Sequence, residues 1–139
     1  MANLQQRAGR VQIRVGGNTQ ETATLVPSLA DGKMLEKNLQ GASNPTQTPP
    51  VLFTPEVFYL MGNISSHVNV RWYMGKSQPP DLSFIVLMIL TGIPFNDTSN
   101  FRLGIVEYGQ AILGDYLIGL QAGNEPDLYA RHGHRPAVR

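Results

Sequence analysis

The sequence contains no cysteine and few charged residues, and both shortages limit what the chain can do. Without cysteine it has neither a disulfide nor a thiolate for catalysis or metal binding. Charged residues make up 15% of the chain, the net charge is +1, and the positive residues form no cluster. Binding to nucleic acid or to a membrane surface needs concentrated positive charge, so we expect neither as a partner.

Long apolar runs are missing as well. The most apolar stretch, residues 82–90, is much shorter than the roughly 20 residues that cross a bilayer. Residues 1–7 lack the apolar core of a secretory signal. The 139 residues suffice for one ordinary domain, but they are far fewer than the about 250 residues of a complete eight-stranded α/β barrel.

Hydrophobic periodicity predicts that strands and helices alternate along the chain. Val11, Ile13 and Val15 lie on one face of a predicted strand, and Trp72 is expected to pack on the helix side of another. The predicted elements are a strand over 11–15, a polar surface excursion over 28–50, a helix over 54–64 capped by Thr54, a strand over 68–74, a helix capped by Thr98 or Ser99 and ended by Gly114, and a strand over 117–122. This order predicts an α/β fold with parallel strands, and periodicity alone does not distinguish an open sheet from a barrel.

The last predicted strand ends abruptly in Gly123-Asn124-Glu125-Pro126. Pro126 cannot donate to a sheet ladder, so the strand must stop before it. Asn124 and Glu125 then follow the C-terminal end of a parallel strand, which is where barrel enzymes place their chemistry. Taken alone, Asn-Glu-Pro favours the simpler interpretation, an exposed glutamate at a strand end.

A longer string around this glutamate resembles a known enzyme family. Gln121-Ala-Gly-Asn-Glu-Pro-Asp-Leu-Tyr129, followed by His-Gly-His-Arg-Pro at 132–136, is similar to the strand-four motif of glycoside hydrolase family 79, the family of β-glucuronidases and heparanase-like enzymes, and most similar to its fungal branch. The resemblance implies a partial (β/α)8 TIM barrel, truncated at both ends, and a carbohydrate substrate. It implies that Glu125 is the general acid/base and that Asn124 positions the 2-hydroxyl of the sugar. It implies no cofactor, no partner protein and an extracellular location.

A second string, Arg14-Val-Gly-Gly-Asn-Thr-Gln-Glu21, resembles the second barrel strand of that family and the loop above it. The resemblance makes Arg14 a candidate neighbour of the nucleophile, and it places Asn18 and Thr19 at the sugar-binding rim. Tyr73 is a further candidate sugar contact, because it faces away from the helices on the strand over 68–74. Arg14 fits a partly exposed strand arginine equally well. The glycine pair lacks the spaced glycines and the lysine of a phosphate-binding loop.

Residues 76–92 interrupt the resemblance. In the family pattern the strand that ends at Gly75 passes directly into Ile93-Pro-Phe-Asn-Asp-Thr98. We interpret the interruption as a retained intron, since Gly75-Lys-Ser77 and Thr91-Gly92 can be encoded by splice-donor and splice-acceptor sequences and the length is in frame. The alternative is a genuine insertion that forms an extra strand or helix.

Two functional hypotheses remain. In the first, the chain is a fragment of a retaining glycoside hydrolase acting on β-linked glycosides such as glucuronides, and the nucleophile on strand seven lies beyond it. In the second, it is a catalytically inactive barrel fragment with at most weak carbohydrate binding near Asn18 and Asn124. His132 and His134 have no Cys or acidic partner at ligand spacing, so we predict no metal site.

Overall fold

The computed structural model describes residues 2–39, 49–74, 92–95, 99–132 and 136, and they form an α/β fold with two small sheets. The main sheet has three parallel strands in the order β1-β5-β6: β1 is Val11–Val15, β5 is Val70–Met74 and β6 is Leu117–Leu120. β1 and β5 pair without a bulge over their whole length, from Val11↔Val70 to Val15↔Met74. The predicted α/β class and parallel strands are confirmed.

Helices α2 (Glu56–His67) and α3 (Gly104–Leu113) cover one face of this sheet. Two further helices are α1 (Ala2–Ala8), which precedes β1, and the short α4 (Tyr129–His132), which follows β6. Alternate residues of β1 and β5 are buried against α2 and α3, as the period of two predicts: Val11, Ile13, Val15, Val70, Trp72 and Met74. The opposite face carries polar residues: Gln12 is exposed, whereas Arg14, Arg71 and Tyr73 are half-buried.

Trp72 fastens α2 to the main sheet. Its indole nitrogen is buried and donates to Ser65 Oγ at 2.7 Å and to the Met61 carbonyl at 3.2 Å. Ser65 Oγ in turn donates to the Val70 carbonyl at 3.0 Å. The predicted packing role of Trp72 is therefore confirmed, and a polar network within the core sets where the helix sits along the strand.

A second sheet precedes α2. Its strands β2 (Thr24–Leu25), β3 (Leu35–Lys37) and β4 (Val51–Phe53) lie in the order β2-β4-β3, with β4 parallel to β2 and antiparallel to β3. The prediction of a surface excursion over 28–50 is wrong for β3, whose Leu35 packs against the core. Three residues are too few for an alternating pattern to stand out in the sequence. Residues 40–48 lie outside the described part of the chain.

The two long helices differ from their predicted limits. α2 continues to His67, and the Thr54 hydroxyl lies 3.3 Å from the Met34 carbonyl, to which it donates, so it ties the helix start to the second sheet. α3 begins at Gly104, so the predicted caps at Thr98 and Ser99 are wrong. Its buried residues Ile105, Gly109 and Leu113 follow one another at a spacing of four, which makes a narrower stripe than the apolar pattern suggested.

The register of β5 against β6 is continuous across residues 76–92. Met74 pairs with Leu120, and its carbonyl accepts from Gln121 N–H at 2.7 Å. Ala122 lies two residues after Leu120, so in an uninterrupted β5 the residue opposite Ala122 would be the second one after Met74. Ile93 occupies that position, in a parallel bridge to Ala122. The chain therefore resumes the same strand register after a segment of seventeen residues, most of which lies outside the described residues.

The described strands form no closed barrel. β1 and β6 are the edge strands of the main sheet, and the second sheet is separate from it. No helix in the described part of the chain has the length and apolar character needed to span a bilayer.

Candidate functional site

The candidate site lies where the three parallel strands end. Arg14 of β1 is in register with Tyr73 of β5, and Tyr73 is in register with Gly119 of β6, so the three residues form one row across the polar face. The Tyr73 ring covers Gly119 so closely that a Cβ there would overlap it. Only glycine at 119 accommodates Tyr73 in this position, next to Arg14.

The turn after β6 has a constrained backbone. Gly123 has φ 72° and Glu125 has φ 52° and ψ 59°, so both lie in the left-handed region. Pro126 then opens a 3-10 helix over Pro126–Leu128. A left-handed conformation is uncommon for a residue with a side chain, and such residues concentrate at functional sites. This turn buries Asn124, which is 8% exposed, and leaves Glu125 half-buried at the surface.

Arg14, Asn124 and Glu125 come together above the strand ends. Arg14 Nη2 donates to Asn124 Oδ1 at 3.4 Å, across 110 residues of chain. Burial lowers the pKa of the Arg14 guanidinium from its ordinary value, and the neighbouring Glu125 carboxylate opposes part of that change. The site therefore pairs a partly desolvated cation with a carboxylate and an amide.

A second carboxylate, that of Glu21, accepts hydrogen bonds from the turn that carries Glu125. Glu21 ends the 3-10 helix Asn18–Glu21 and is 1% exposed. Its Oε1 accepts from Asn124 N–H and from Tyr129 Oη, both at 2.6 Å, and its Oε2 accepts from Phe95 N–H at 2.9 Å. Three donors from separate parts of the chain thus surround one buried carboxylate.

Two more long side chains join the same segments. Gln20 is completely buried, and its Nε2 lies 3.3 Å from both the Ile93 and the Gln121 carbonyls. Arg102 donates from Nη1 to the Ala23 carbonyl and from Nη2 to the Glu21 carbonyl, both at 3.1 Å. The Gln20 contacts tie the 3-10 helix to Ile93 and to the residue that follows β6, and the Arg102 contacts tie it to the segment before α3.

Four of the six residues proposed from the sequence lie close to one another. Arg14, Asn124 and Glu125 form one group, and Tyr73 adjoins Arg14 in the sheet. Thr19 is half-buried in the 3-10 helix, where its carbonyl accepts from Thr22 and Ala23. The side chain of Asn18 lies outside what the structure describes, so the sugar-binding rim stays a prediction.

Glu21, Gln20 and Tyr129 belong to the site, although sequence patterns gave them no role. Glu21 and Gln20 lie within the string that begins at Arg14, and Tyr129 lies within the string around Glu125. The sequence signal that could have found them is therefore their position within these two strings. Their burial and mutual contact depend on the fold.

The carboxyl groups of Glu125 and Glu21 differ in the chemistry that they can perform. Glu125 is accessible and lies beside a cation, so it can exchange a proton with a bound molecule. Glu21 is enclosed and both of its oxygens accept from protein donors, so it cannot attack a substrate. Among the residues that the structure describes, no group of His, Cys, Asp or Glu could hold a metal ion. His134 and the side chain of His132 lie outside those residues.

No protein-family model matches the chain, and no curated protein matches it significantly.

Proposed function

We propose that the chain is the strand-two to strand-four portion of a (β/α)8 barrel from a retaining glycoside hydrolase that acts on β-linked glycosides, with glucuronides as the substrate class. The observation that carries the proposal is the assembly of Arg14, Asn124 and Glu125 at the C-terminal ends of β1 and β6, the two parallel strands on either side of β5. A parallel sheet with helices on one face, and with polar residues where its strands end, is compatible with part of such a barrel. An extracellular location belongs to the same proposal and rests on the family resemblance.

In this proposal Glu125 acts as the general acid and then as the general base. It protonates the glycosidic oxygen as the bond to the anomeric carbon breaks, and it later removes a proton from the water that releases the sugar. Asn124 binds the 2-hydroxyl, and the hydrogen bond from Arg14 determines which end of its amide faces the arginine. Arg14 holds a positive charge beside Glu125, where a negative charge appears once the proton has been transferred.

The retaining reaction also needs a nucleophilic carboxylate about 5–5.5 Å from the acid/base. Glu21 cannot be that group, because its oxygens are buried and engaged. This observation favours a second candidate function for the isolated 139-residue chain, namely an inactive barrel fragment with at most weak carbohydrate binding. The two candidates agree on the placement of Glu125. They differ on whether the functional protein contains a second, nucleophilic carboxylate.

The test compares the release of a chromogenic aglycone from a β-glucuronide by two proteins. One is the 139-residue chain, and the other is the product of the complete spliced transcript. We expect turnover by the second protein only, and we expect Glu125→Gln to abolish it. Glu107→Gln is the matched control, since Glu107 is exposed on α3 and should leave the rate unchanged.

The outcomes separate the hypotheses. Activity of the 139-residue chain itself would show that a carboxylate within it is the nucleophile, contrary to the proposal. Full activity of Glu125→Gln in the complete protein would remove Glu125 from the acid/base role. Absence of turnover in both proteins, together with weak binding of the glucuronide, would favour the inactive fragment.

A further inference from the structure

We propose that Glu21 is the positioning residue for Glu125: its buried carboxylate fixes the backbone on both sides of Glu125 and so sets where the acid/base points. The catalytic consequence rests on the proposed function, whereas the positioning itself is a property of the fold. Glu21 lies more than a hundred residues before Glu125 in the chain, and the contact exists only in the folded protein.

The contacts of Glu21 enclose the turn that carries Glu125. The Asn124 N–H immediately precedes Glu125, and the Tyr129 hydroxyl comes four residues after it; both donate to Oε1 at 2.6 Å. Oε2 accepts from the Phe95 N–H at 2.9 Å, which adds the segment that continues β5. Hydrogen bonds to a carboxylate are about twice as strong as neutral ones, so this single group joins three segments firmly.

The turn needs such support because its backbone conformation is costly. Glu125 has φ 52°, and a residue with a Cβ adopts a left-handed conformation at a cost of free energy. Tyr129 also packs directly against Gly123, where the space for a Cβ is taken by its hydroxyl. Without Glu21 the donors of Asn124 and Tyr129 would lose their acceptor within a buried site, and the turn would relax towards an ordinary backbone conformation.

Further hydrogen bonds hold the 3-10 helix that carries Glu21. Glu21 closes this helix, its carbonyl accepts from Arg102 Nη2 at 3.1 Å, and the adjacent Gln20 ties the same helix to the Ile93 and Gln121 carbonyls. The backbone that carries the carboxylate is therefore held by hydrogen bonds of its own. We assign Glu21 as a positioning residue because this held carboxylate accepts from the turn in which Glu125 has a left-handed conformation.

The first measurement uses the unaltered 139-residue chain. NMR should detect scalar coupling across the hydrogen bond between the Asn124 amide nitrogen and the Glu21 carboxyl carbon. The Asn124 amide proton should also resonate far downfield and exchange slowly, although it lies in a turn. A folded chain without this coupling and with a fast-exchanging Asn124 amide would overturn the proposal.

The second measurement uses variants. Glu21→Gln keeps the size of the side chain but has an NH2 group in place of one acceptor oxygen. This group faces either the Phe95 N–H or the Asn124 N–H, so hydrogen exchange at that amide should rise about 10- to 100-fold. Exchange at Trp72 in β5 should stay unchanged. Glu36→Gln is the control, because Glu36 is half-buried on β3 in the second sheet and should leave these amides unaffected. Unchanged exchange at both Phe95 and Asn124 in folded Glu21→Gln would contradict the proposal.

Tyr129→Phe keeps the proposal testable if Glu21→Gln does not fold. It removes one donor and leaves the Asn124 hydrogen bond in place, so the Asn124 amide should keep its coupling while its proton shift changes. An Asn124 resonance that does not respond to Tyr129→Phe would show that the two donors do not share Glu21.

Activity separates this inference from the proposed function. In the complete enzyme Glu21→Gln should lower kcat at least tenfold with little change in KM, because the acid/base is misplaced while sugar binding persists. An inactive complete enzyme that still shows the coupling would disprove the function and leave the positioning intact. A Glu21→Gln enzyme with normal kcat would disprove the positioning and leave the function intact.

Discussion

Glycine at position 123 combines two requirements that other residues cannot meet. Its φ of 72° lies in the left-handed region, and a Cβ there would collide with the Tyr129 hydroxyl and lie 3.1 Å from Phe95 Cβ. Gly9 has a similar φ of 76° but has no atom within 4 Å of the Cβ position. A comparison of substitutions at Gly9 and Gly123 therefore distinguishes the cost of backbone strain from the cost of steric crowding.

We predict that Gly123→Ala destabilises the chain more than Gly9→Ala. Gly9→Ala should cost about 1–2 kcal/mol from the backbone conformation alone. Gly123→Ala should cost about 1–3 kcal/mol more, because the methyl group also overpacks the turn. Urea denaturation measures both, and equal losses would mean that the turn can open to admit a methyl group.

Two neighbouring serines of α2 provide a second matched pair. Ser65 is buried and links Trp72 to the Val70 carbonyl, whereas Ser66 is exposed and bonds only to Asn63 within its own helix. We predict that Ser65→Ala costs about 1–3 kcal/mol, since it leaves buried polar groups with fewer partners. Ser66→Ala should change the free energy of unfolding by less than about 0.5 kcal/mol. Denaturation curves with similar shifts for both variants would rule out the network as a source of stability.

At the scale of single residues, the sequence predicted the accessible residues of the site better than the buried residues that hold them in place. Arg14, Asn124 and Glu125 could be proposed together because they lie in recognisable strings at strand ends, although their roles remain predictions. Glu21 could not be assigned from the sequence, because polarity alone gives no sign that a glutamate is buried. Its three donors come from residues 95, 124 and 129, and only the tertiary structure brings them to it.

Among the elements, α2 has a charged N-terminus whose effect depends on pH. The Thr54 hydroxyl, whose single proton is shared between the Glu56 carboxylate and the Met34 carbonyl, and the backbone N–H of Glu56 itself lower the pKa of Glu56 from its ordinary value of 4.5. Because the folded pKa is below the unfolded pKa, the stabilisation is complete above the unfolded value and is lost as the pH falls through the folded value. Glu56 is fully exposed, so solvent screens this contribution and keeps it small.

We predict that Glu56→Gln lowers the melting temperature slightly at about pH 6 and that this difference becomes smaller between about pH 6 and about pH 3, because protonation of the carboxylate removes the stabilisation. Thermal unfolding of both proteins across this range gives the comparison. Glu36→Gln, at a half-buried position of β3, is the control for a general charge effect. A difference from the unaltered chain that is as large at low pH as at high pH would show that the carboxylate charge is not the cause.

The continuous register of β5 provides a prediction for a whole segment. Met74 and Ile93 occupy consecutive bridge positions opposite Leu120 and Ala122, so Gly75 can join Ile93 directly. We predict that deletion of residues 76–92 preserves the fold and stabilises it by on the order of 1–3 kcal/mol, because the chain between the two bridge positions becomes shorter and its closure costs less entropy. Urea denaturation and the NMR contacts between Ile93 and Ala122 measure the result. An unfolded deletion variant would show that the segment is part of the fold, as a genuine insertion would be.

The limits of α3 show why element boundaries were only partly predictable. Phe101, Leu103 and Tyr108 extend the apolar pattern, and on that pattern the helix was expected to start near residue 98. In the structure Leu103 and Tyr108 are exposed, and the helix starts at Gly104. The decisive contacts are those of the buried stripe with α2 and β6, which the local sequence does not contain.

For the molecule as a whole, the edges of the main sheet are its most vulnerable feature. No described strand pairs with the outer edge of β1 or of β6, and unpaired edges of parallel strands promote association. We predict concentration-dependent self-association of the 139-residue chain in sedimentation experiments. Gln12→Lys on β1 should reduce it, whereas Gln6→Lys, an exposed control on α1 with the same charge change, should reduce it less. Equal effects of the two substitutions would point to net charge as the cause.

The sequence by itself determined the α/β class, the alternating faces of β1 and β5 and the position of Glu125 after a parallel strand, because these follow from period-two patterning and from a proline that ends a ladder. The tertiary structure alone decided the second sheet, the narrow buried stripe of α3 and the buried carboxylate of Glu21. These features depend on contacts between residues far apart in the chain. Local patterns record which side of an element is apolar, whereas packing determines which distant donors meet a given acceptor.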